Sequence, residues 1–267
     1  MKEYTLITGA CGGLGKAFVA ECAKANENLI LIGTNQTKVN NFTSEISSNF
    51  NKIDILSFVC DQSNKQSRET LFESLSKLNI TKAILNAGYI DEGAIATKKI
   101  EEQENVIKTN CEGTVAIAKY LIDKSVQSKT KLGIVVTSSL SAYYPMPQMA
   151  VYAASKAFLL HYFLAAREEY KNSNIKITVV CPGGIPTTAA MKDAIRAQGV
   201  GGKLSSTSPE KVAKCALKGL EKNKPVAIPG TFNKLLMWIG TRPSKTFTAK
   251  QIGKRWKKSQ KKRTTLK

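Results

Sequence analysis

Lys2-Glu-Tyr-Thr-Leu-Ile-Thr8, then Gly9-Ala-Cys-Gly-Gly-Leu-Gly15, then Lys16-Ala-Phe-Val-Ala-Glu-Cys-Ala-Lys24 is the stretch that decides the fold. Its first seven residues are apolar and β-branched, as a short strand requires. Its last nine carry apolar residues at helical spacing. A strand, a glycine-dense turn and a helix in that order bring backbone N–H groups to a helix N-terminus. A pyrophosphate can approach closely there because no Cβ stands in the way. The glycines follow T-G-x-x-x-G-x-G rather than the G-x-G-x-x-G fingerprint. A glycine turn without a ligand is the bland alternative, and the position of the motif at the start of a βαβ pattern argues against it.

Working outward, the same alternation repeats. Asn28–Gly33 is nearly all apolar, as a buried parallel strand should be. A polar helical stretch follows to about residue 51, then a third strand at Ile53–Cys60 that ends at Asp61. A helix is expected near Lys65–Leu78, a strand at Lys82–Asn86, a helix over about Glu101–Lys124 and a strand at Leu132–Ser138. A helix containing Tyr152 runs to about Lys171, and a sixth strand, Ile175–Cys181, is stopped by Pro182-Gly183. After a variable segment, Ser208-Pro209 reads as an N-cap and first helical residue. That helix leads to a short last strand, Pro225–Pro229. The expected class is α/β: a doubly wound parallel sheet of Rossmann type in one domain, residues 1–230, followed by a basic helical extension, residues 231–267. In such a sheet a ligand lies at the C-terminal strand ends, where the motifs cluster.

The 267 residues fit one such domain plus an appendage. No apolar run approaches the length of a membrane span and the chain starts directly in a strand, so a cytoplasmic protein is expected. Six scattered cysteines, none in a C-x-x-C pair, read as reduced, mostly buried small hydrophobes. One histidine, His161, rules against a His-based metal site or triad and reads as a packing residue. The net charge of +20 is uneven: residues 231–267 hold twelve Lys or Arg and no acid, leaving +8 for the rest.

Tyr152 and Lys156 lie four residues apart on a helix, hence on one face. A phenol near its usual pKa of about 10 is a poor proton donor and acceptor at neutrality. An ammonium beside it is expected to favour the phenolate, and a downward shift of roughly three units would correspond to about 4 kcal/mol.

Taken together, these motifs resemble the short-chain dehydrogenase/reductase family over about residues 1–230. The marks are Thr8-Gly-Ala-Cys-Gly-Gly-Leu-Gly15, Asn86-Ala87-Gly88, Asn110 with Gly113, Ser139 thirteen residues before Tyr152, Lys156, and Pro182-Gly183 followed by Thr187. The resemblance implies that Ser139 orients a substrate carbonyl and that Tyr152 exchanges its proton. It also implies that Lys156 lowers the tyrosine pKa and binds the nicotinamide ribose, and that Asn110 supports a water-linked proton path. By the same token Thr8, Gly9, Gly13, Leu14 and Gly15 would hold the pyrophosphate, and Asn86, Ala87 and Gly88 would let the cofactor approach the backbone. Pro182, Gly183 and Thr187 would wrap the nicotinamide. Asp61 resembles the family acid that contacts the adenine amino group, with a strand-end cap as the alternative. No metal is implied.

An acid at the end of strand two would mark NAD. Here the sequence is Gly33-Thr-Asn-Gln-Thr-Lys38, with no carboxylate before Glu45, so Thr34 and Lys38 favour a 2′-phosphate and NADP is expected over NAD. Ile185, Ala189, Ala190 and Met191 on one side, and Leu140, Met146 and Met149 on the other, suggest an apolar ketone or secondary alcohol as substrate. The leading expectation is an NADP-dependent oxidoreductase, as a homo-oligomer. A cofactor-binding regulatory protein and a membrane-associated adaptor on the same fold are the alternatives. In the extension, Phe232–Gly240 is apolar and residues 254–267 are cationic. They read either as a peripheral anchor on anionic lipid, with Met237 and Trp238 at the surface, or as a helix covering the substrate cleft. Charge alone would allow nucleic acid, but no recognition module is visible.

Overall fold

A computed structural model describes residues 1–265, with side chains through Trp256. The last two residues of the expected extension, 266 and 267, lie outside the described residues. Seven parallel strands form one sheet in the order β3-β2-β1-β4-β5-β6-β7. They are β1 (Glu3–Thr8), β2 (Asn28–Gly33), β3 (Ile55–Val59), β4 (Asn79–Leu85), β5 (Leu132–Thr137), β6 (Ile175–Val180) and β7 (Val226–Ala227). β1 pairs with β2 on one side and β4 on the other, so the winding reverses there and opens a crevice at their C-terminal ends.

The near-continuous apolar strands are explained by burial on both faces. Leu6, Ile30, Ile134 and Val136 face one core cluster, while their neighbours Ile7, Leu29, Leu31 and Val135 face the other. The first cluster is closed by α3 (Lys65–Leu75), α5 (Thr114–Ser128) and α6 (Ala150–Glu169), through Leu71, Leu121 and Phe163. The second is closed by α1 (Gly13–Lys24), α2 (Gln36–Asn49) and α9 (Pro209–Glu221), through Phe18, Phe42 and Val212. Asn35 and Asn64 cap α2 and α3, and Ser208 caps α9 with Pro209 as its first residue, the last pair as read from the sequence.

Three expectations need correction. The helix expected over residues 101–124 is α4 (Ile100–Ile107), a wider i→i+5 turn over Lys108–Gly113, and α5. Such widened turns bulge the backbone, and here one re-aims Asn110 and Gly113. His161 is exposed and does not pack, because α6 turns Leu159, Leu160 and Phe163 inward instead. Among the cysteines Cys22, Cys60 and Cys181 are buried, but Cys11, Cys111 and Cys215 are partly exposed; all six are free. After β6 come α7 (Ala189–Ala197) and α8 (Gly199–Ser205), and after β7 come α10 (Thr231–Gly240) and α11 (Lys245–Thr265). No helix among the described residues is long and apolar enough to cross a membrane.

Candidate functional site

A cavity of about 820 Å³ opens at the C-terminal strand ends. Thr8 ends β1 with its hydroxyl turned toward β4, accepting from the amides of Asn86 and Ala87, both at 3.0 Å. The Asn86 side-chain Nδ2 in turn donates to the Thr8 carbonyl at 3.3 Å. These bonds clamp the two loops flanking the crevice. Gly9 has φ +64°, and a Cβ there would come within 2.9 Å of the Ala87 backbone, so only glycine fits the turn. Gly15 is buried, and a Cβ on it would meet the Gly9 carbonyl at 2.0 Å. It therefore packs the loop under itself, while Gly13 and Leu14 face the cavity. Thr34, Asp61, Asn86, Ala87, Gly88, Pro182, Gly183 and Thr187 also line it. A glycine cradle that Cβ atoms would fill, with no acid at the end of β2, fits a dinucleotide.

One of the cofactor candidates, Lys38, stands differently from the expectation, and Asp61 is compatible with both readings made for it. Lys38 does not line the cavity: it sits in the first turn of α2, its amide capped by Asn35, and its carbonyl faces the Cys11 thiol. Asp61 lines the cavity and also caps its own turn, accepting from the Ser63 amide at 3.0 Å and hydroxyl at 2.7 Å.

Ser139 follows β5 and lines the cavity, its hydroxyl accepting from the Ser141 amide at 3.1 Å. Ser138 is separated from it by what it bonds: its hydroxyl is buried and donates to the Lys156 carbonyl at 2.8 Å. From α6, Tyr152 and Lys156 both enter the cavity. Burial raises the Tyr152 pKa, and the neighbouring Ser139 hydroxyl pulls it the other way. Burial lowers Lys156 to about 8, against smaller opposing effects of Cys111 and Cys181. The expected depression of the phenol by the ammonium is therefore not what this geometry produces. The Lys156 ammonium stands 5.8 Å from the Tyr152 ring centre and donates to the Thr137 carbonyl at 2.9 Å. It is aimed at the strand end, not at the phenol.

Asn110 is fully buried behind the cavity wall. Its amide nitrogen donates to the Tyr89 carbonyl at 3.0 Å and to Ser155 Oγ at 2.9 Å, and its oxygen accepts from the Tyr89 amide at 2.7 Å. It ties the loop after β4 to α6, and Gly88 stands against both it and Lys156. The widened turn is itself held by the loop after β3. Gln62 donates to the Thr109 carbonyl at 2.7 Å, and a Cβ on Gly113 would meet the Gln62 carbonyl at 2.3 Å.

On the far side of Tyr152 the lining turns apolar. Leu140, Met146, Met149, Ile185 and Met191 line it as expected, but Ala189 and Ala190 are exposed at the start of α7. Thr188 caps that helix, and its inward stripe is Met191, Ala194 and Ile195, with Gln198 lining the cavity from the C-cap. Among the lining residues not singled out from the sequence as parts of the cleft are Tyr144, Leu236 on α10 and Trp256 on α11. Trp256 stands out in the sequence only as the lone aromatic of a cationic run, which does not say that it reaches the cleft. Burial pushes the Tyr144 phenol up to about 12, so it stays protonated at neutral pH.

The sequence matches the family described as short chain dehydrogenase over residues 3–198. A very-long-chain 3-oxoacyl-CoA reductase of Bos taurus is 28% identical over 192 residues, 70% of this chain and 61% of that protein. The chain thus spans less than two thirds of that relative's length. Among solved structures, one from a study of 7beta-hydroxysteroid dehydrogenase stereoselectivity superposes with a TM-score of 0.84 at 22% identity, covering 94% of this chain and 96% of that one. A short-chain dehydrogenase from Sphingobium yanoikuyae in complex with NADPH gives 0.77 at 22% identity, covering 90% and 93%. One from Burkholderia phymatum in complex with NAD gives 0.78 at 16% identity, covering 89% and 92%. These structural likenesses establish the fold.

Proposed function

The chain belongs to the short-chain dehydrogenase/reductase family, and on that premise we propose that it is an NADP-dependent oxidoreductase acting on an apolar ketone or secondary alcohol. Residues 1–230 are the catalytic domain in this reading, and 231–267 an extension. One observation carries it. A single cavity runs from the glycine loop past Ser139, Tyr152 and Lys156 to an apolar wall of Leu140, Met146, Met149, Ile185 and Met191.

The chemistry a bound dinucleotide supplies is hydride exchange with the substrate carbon. Ser139 and Tyr152 present two hydroxyls to one side of the cavity, where both can donate to a carbonyl oxygen. Tyr152, kept protonated at neutral pH by burial, is the group that gives that oxygen its proton in reduction and recovers it in oxidation. Lys156, anchored on Thr137, places a cation beside the ribose position, where it can hold the cofactor's sugar. Asn110 holds the surrounding backbone and is a positioning residue on the proton path.

The preference for NADP rests on this chain's own residues, since the solved neighbours include one complex with each cofactor. Thr34 is exposed at the end of β2 and lines the cavity. Burial raises the Cys11 thiol pKa beside it, while Lys16 and Lys38 both act to lower it, so two cations project their field onto this corner. A 2′-phosphate is favoured there. Homo-oligomerisation belongs to the same reading, supported by Ile107, Val126 and Phe158, apolar yet half-exposed on α4, α5 and α6. So do a cytoplasmic location and peripheral contact of the extension with anionic membrane.

An NADPH-oxidation screen over simple ketones, 3-oxoacyl thioesters and oxo-steroids tests the proposal. Oxidation that depends on a ketone and vanishes in Tyr152→Phe is expected. No turnover of any carbonyl, with NADPH bound, overturns it.

A further inference from the structure

Helices α10 and α11 have two unlike faces. Inward, Leu236 and Trp256 line the cavity and Met237 packs against the sheet's core cluster. The buried Asn233 amide fastens α10 by donating to the carbonyls of Pro229 at 2.7 Å and Ser205 at 3.0 Å. α11 reaches the other side of the cleft, where Gly253 lies against Pro147 and Gly201 against Arg255. The extension therefore roofs the apolar end of the cavity, and Met237 is a packing residue and not a surface one. Outward, Leu235, Trp238 and Ile239 recur at i, i+3 and i+4 and are 49%, 53% and 50% exposed. Phe247 follows on α11 at 52%.

This outer face is cationic as well as apolar. Lys234, Arg242, Lys245, Lys250 and Lys254 are all exposed, and Arg242 lies over the Trp238 ring at 4.0 Å. Residues 231–267 contain no acid. A second copy of the same surface would oppose these five cations with five, so self-pairing about a two-fold axis is electrostatically disfavoured. A nucleic acid would satisfy the charges but offers nothing to the aliphatic side chains. An anionic bilayer satisfies both, with phosphate at the headgroup level and acyl chains below it.

We infer that this roof docks on an anionic bilayer and that the cavity beneath it draws an apolar ketone from the lipid. The delivery part rests on the reductase reading, and the docking part does not. Leu236 and Trp256 then form the inner lip of a passage whose outer lip is Leu235, Trp238 and Ile239. Substrate size is read where the roof meets Met191 and Ile195.

The test uses the full chain with vesicles of phosphatidylcholine alone and of phosphatidylcholine mixed with phosphatidylserine. Binding to the mixed vesicles is expected, weakening with salt. Lys234→Gln/Arg242→Gln/Lys245→Gln should reduce it about a hundredfold, at roughly fivefold per cation. Leu235→Ser/Trp238→Ser/Ile239→Ser should reduce it at least tenfold and remove the salt-resistant part. Mixed vesicles should raise turnover of a vesicle-borne long-chain 2-alkanone several-fold in the unaltered protein and not in the Ser variant. Turnover of a short water-soluble ketone should be the same in both. Absence of binding at low salt, binding unchanged by the Ser substitutions, or tighter binding to duplex DNA would each overturn the docking surface. Vesicle binding without turnover of any ketone would overturn the reductase reading and leave the docking surface standing.

Discussion

Gly13 and Thr187 stand in direct opposition across the mouth of the crevice: a Cβ on Gly13 would come within 2.5 Å of Thr187 Cβ. The glycine loop and the loop after β6 therefore close on each other through a contact that only a missing side chain permits. Because the neighbour is a Cβ and not the end of a flexible chain, Gly13→Ala must push one loop aside. NADPH affinity is expected to fall at least tenfold, about 1.4 kcal/mol, with little loss of stability. Fluorescence titration with NADPH, alongside a thermal melt of the protein alone, checks both halves.

Removing the phenol tests the proton donor. Tyr152→Phe should lower reduction by roughly 10²–10⁴ while leaving NADPH affinity within a few-fold, because general acid catalysis is worth about that factor. Turnover near the original rate would take Tyr152 out of the chemistry.

Buried Lys156 gives a pH signature in the protein alone. Its pKa is lowered to about 8, below the value of about 10.4 expected unfolded. Below pH 8 both states hold the proton, and burying the charge costs stability in full. Between about pH 8 and 10.4 the unfolded state binds more protons, so stability rises with pH. Relative to Lys156→Met, the unaltered protein should gain about 2 kcal/mol from pH 7 to pH 9.5. Urea unfolding of both proteins at the two pH values measures it, and a flat difference would show that the amine is not desolvated.

Cofactor choice is read by ligand-dependent melting. NADPH should raise the Tm more than NADH at equal concentration. Thr34→Asp, which puts a carboxylate where the 2′-phosphate would lie, should reverse that order by penalising the phosphate. A larger shift with NADH in the unaltered protein would refute the NADP assignment.

What could be read from sequence followed the period of the apolar residues. Strands β1, β2, β5 and β6 announce themselves because both faces are buried, the half-exposed edge strand β3 shows by its apolar residues, and Ser208-Pro209 marks α9 because capping is a local matter. Tyr152 and Lys156 were paired by their spacing on one helix face and Ser139 was added by the family resemblance, and all three line one cavity. The widened turn at Lys108–Gly113 was invisible, because an i→i+5 turn leaves helical periodicity almost intact and is imposed by Gln62 from another loop. The ammonium's aim was equally hidden: that Lys156 reaches the Thr137 carbonyl depends on how α6 sits on β5, not on the four-residue spacing from Tyr152. Ala189 and Ala190 were misjudged because the phase of α7 is set by its Thr188 cap. Trp256 reaches the cleft only because α11 folds back onto α7, a long-range return that a cationic sequence does not signal.

The roof over the cavity also sets an order of manufacture. The glycine loop, the Tyr152 helix and the Pro182 turn all leave the ribosome before α10 and α11, and chains acquire structure from the N-terminus during synthesis. A nascent chain ending near residue 230 already has every strand of the sheet and both glycine-lined loops, but the apolar end of its cleft stands open where Leu236 and Trp256 will close it. The dinucleotide half of the cleft is thus finished first and the substrate half last. A growing chain can take on the stabilisation of one ligand before it is able to enclose the other.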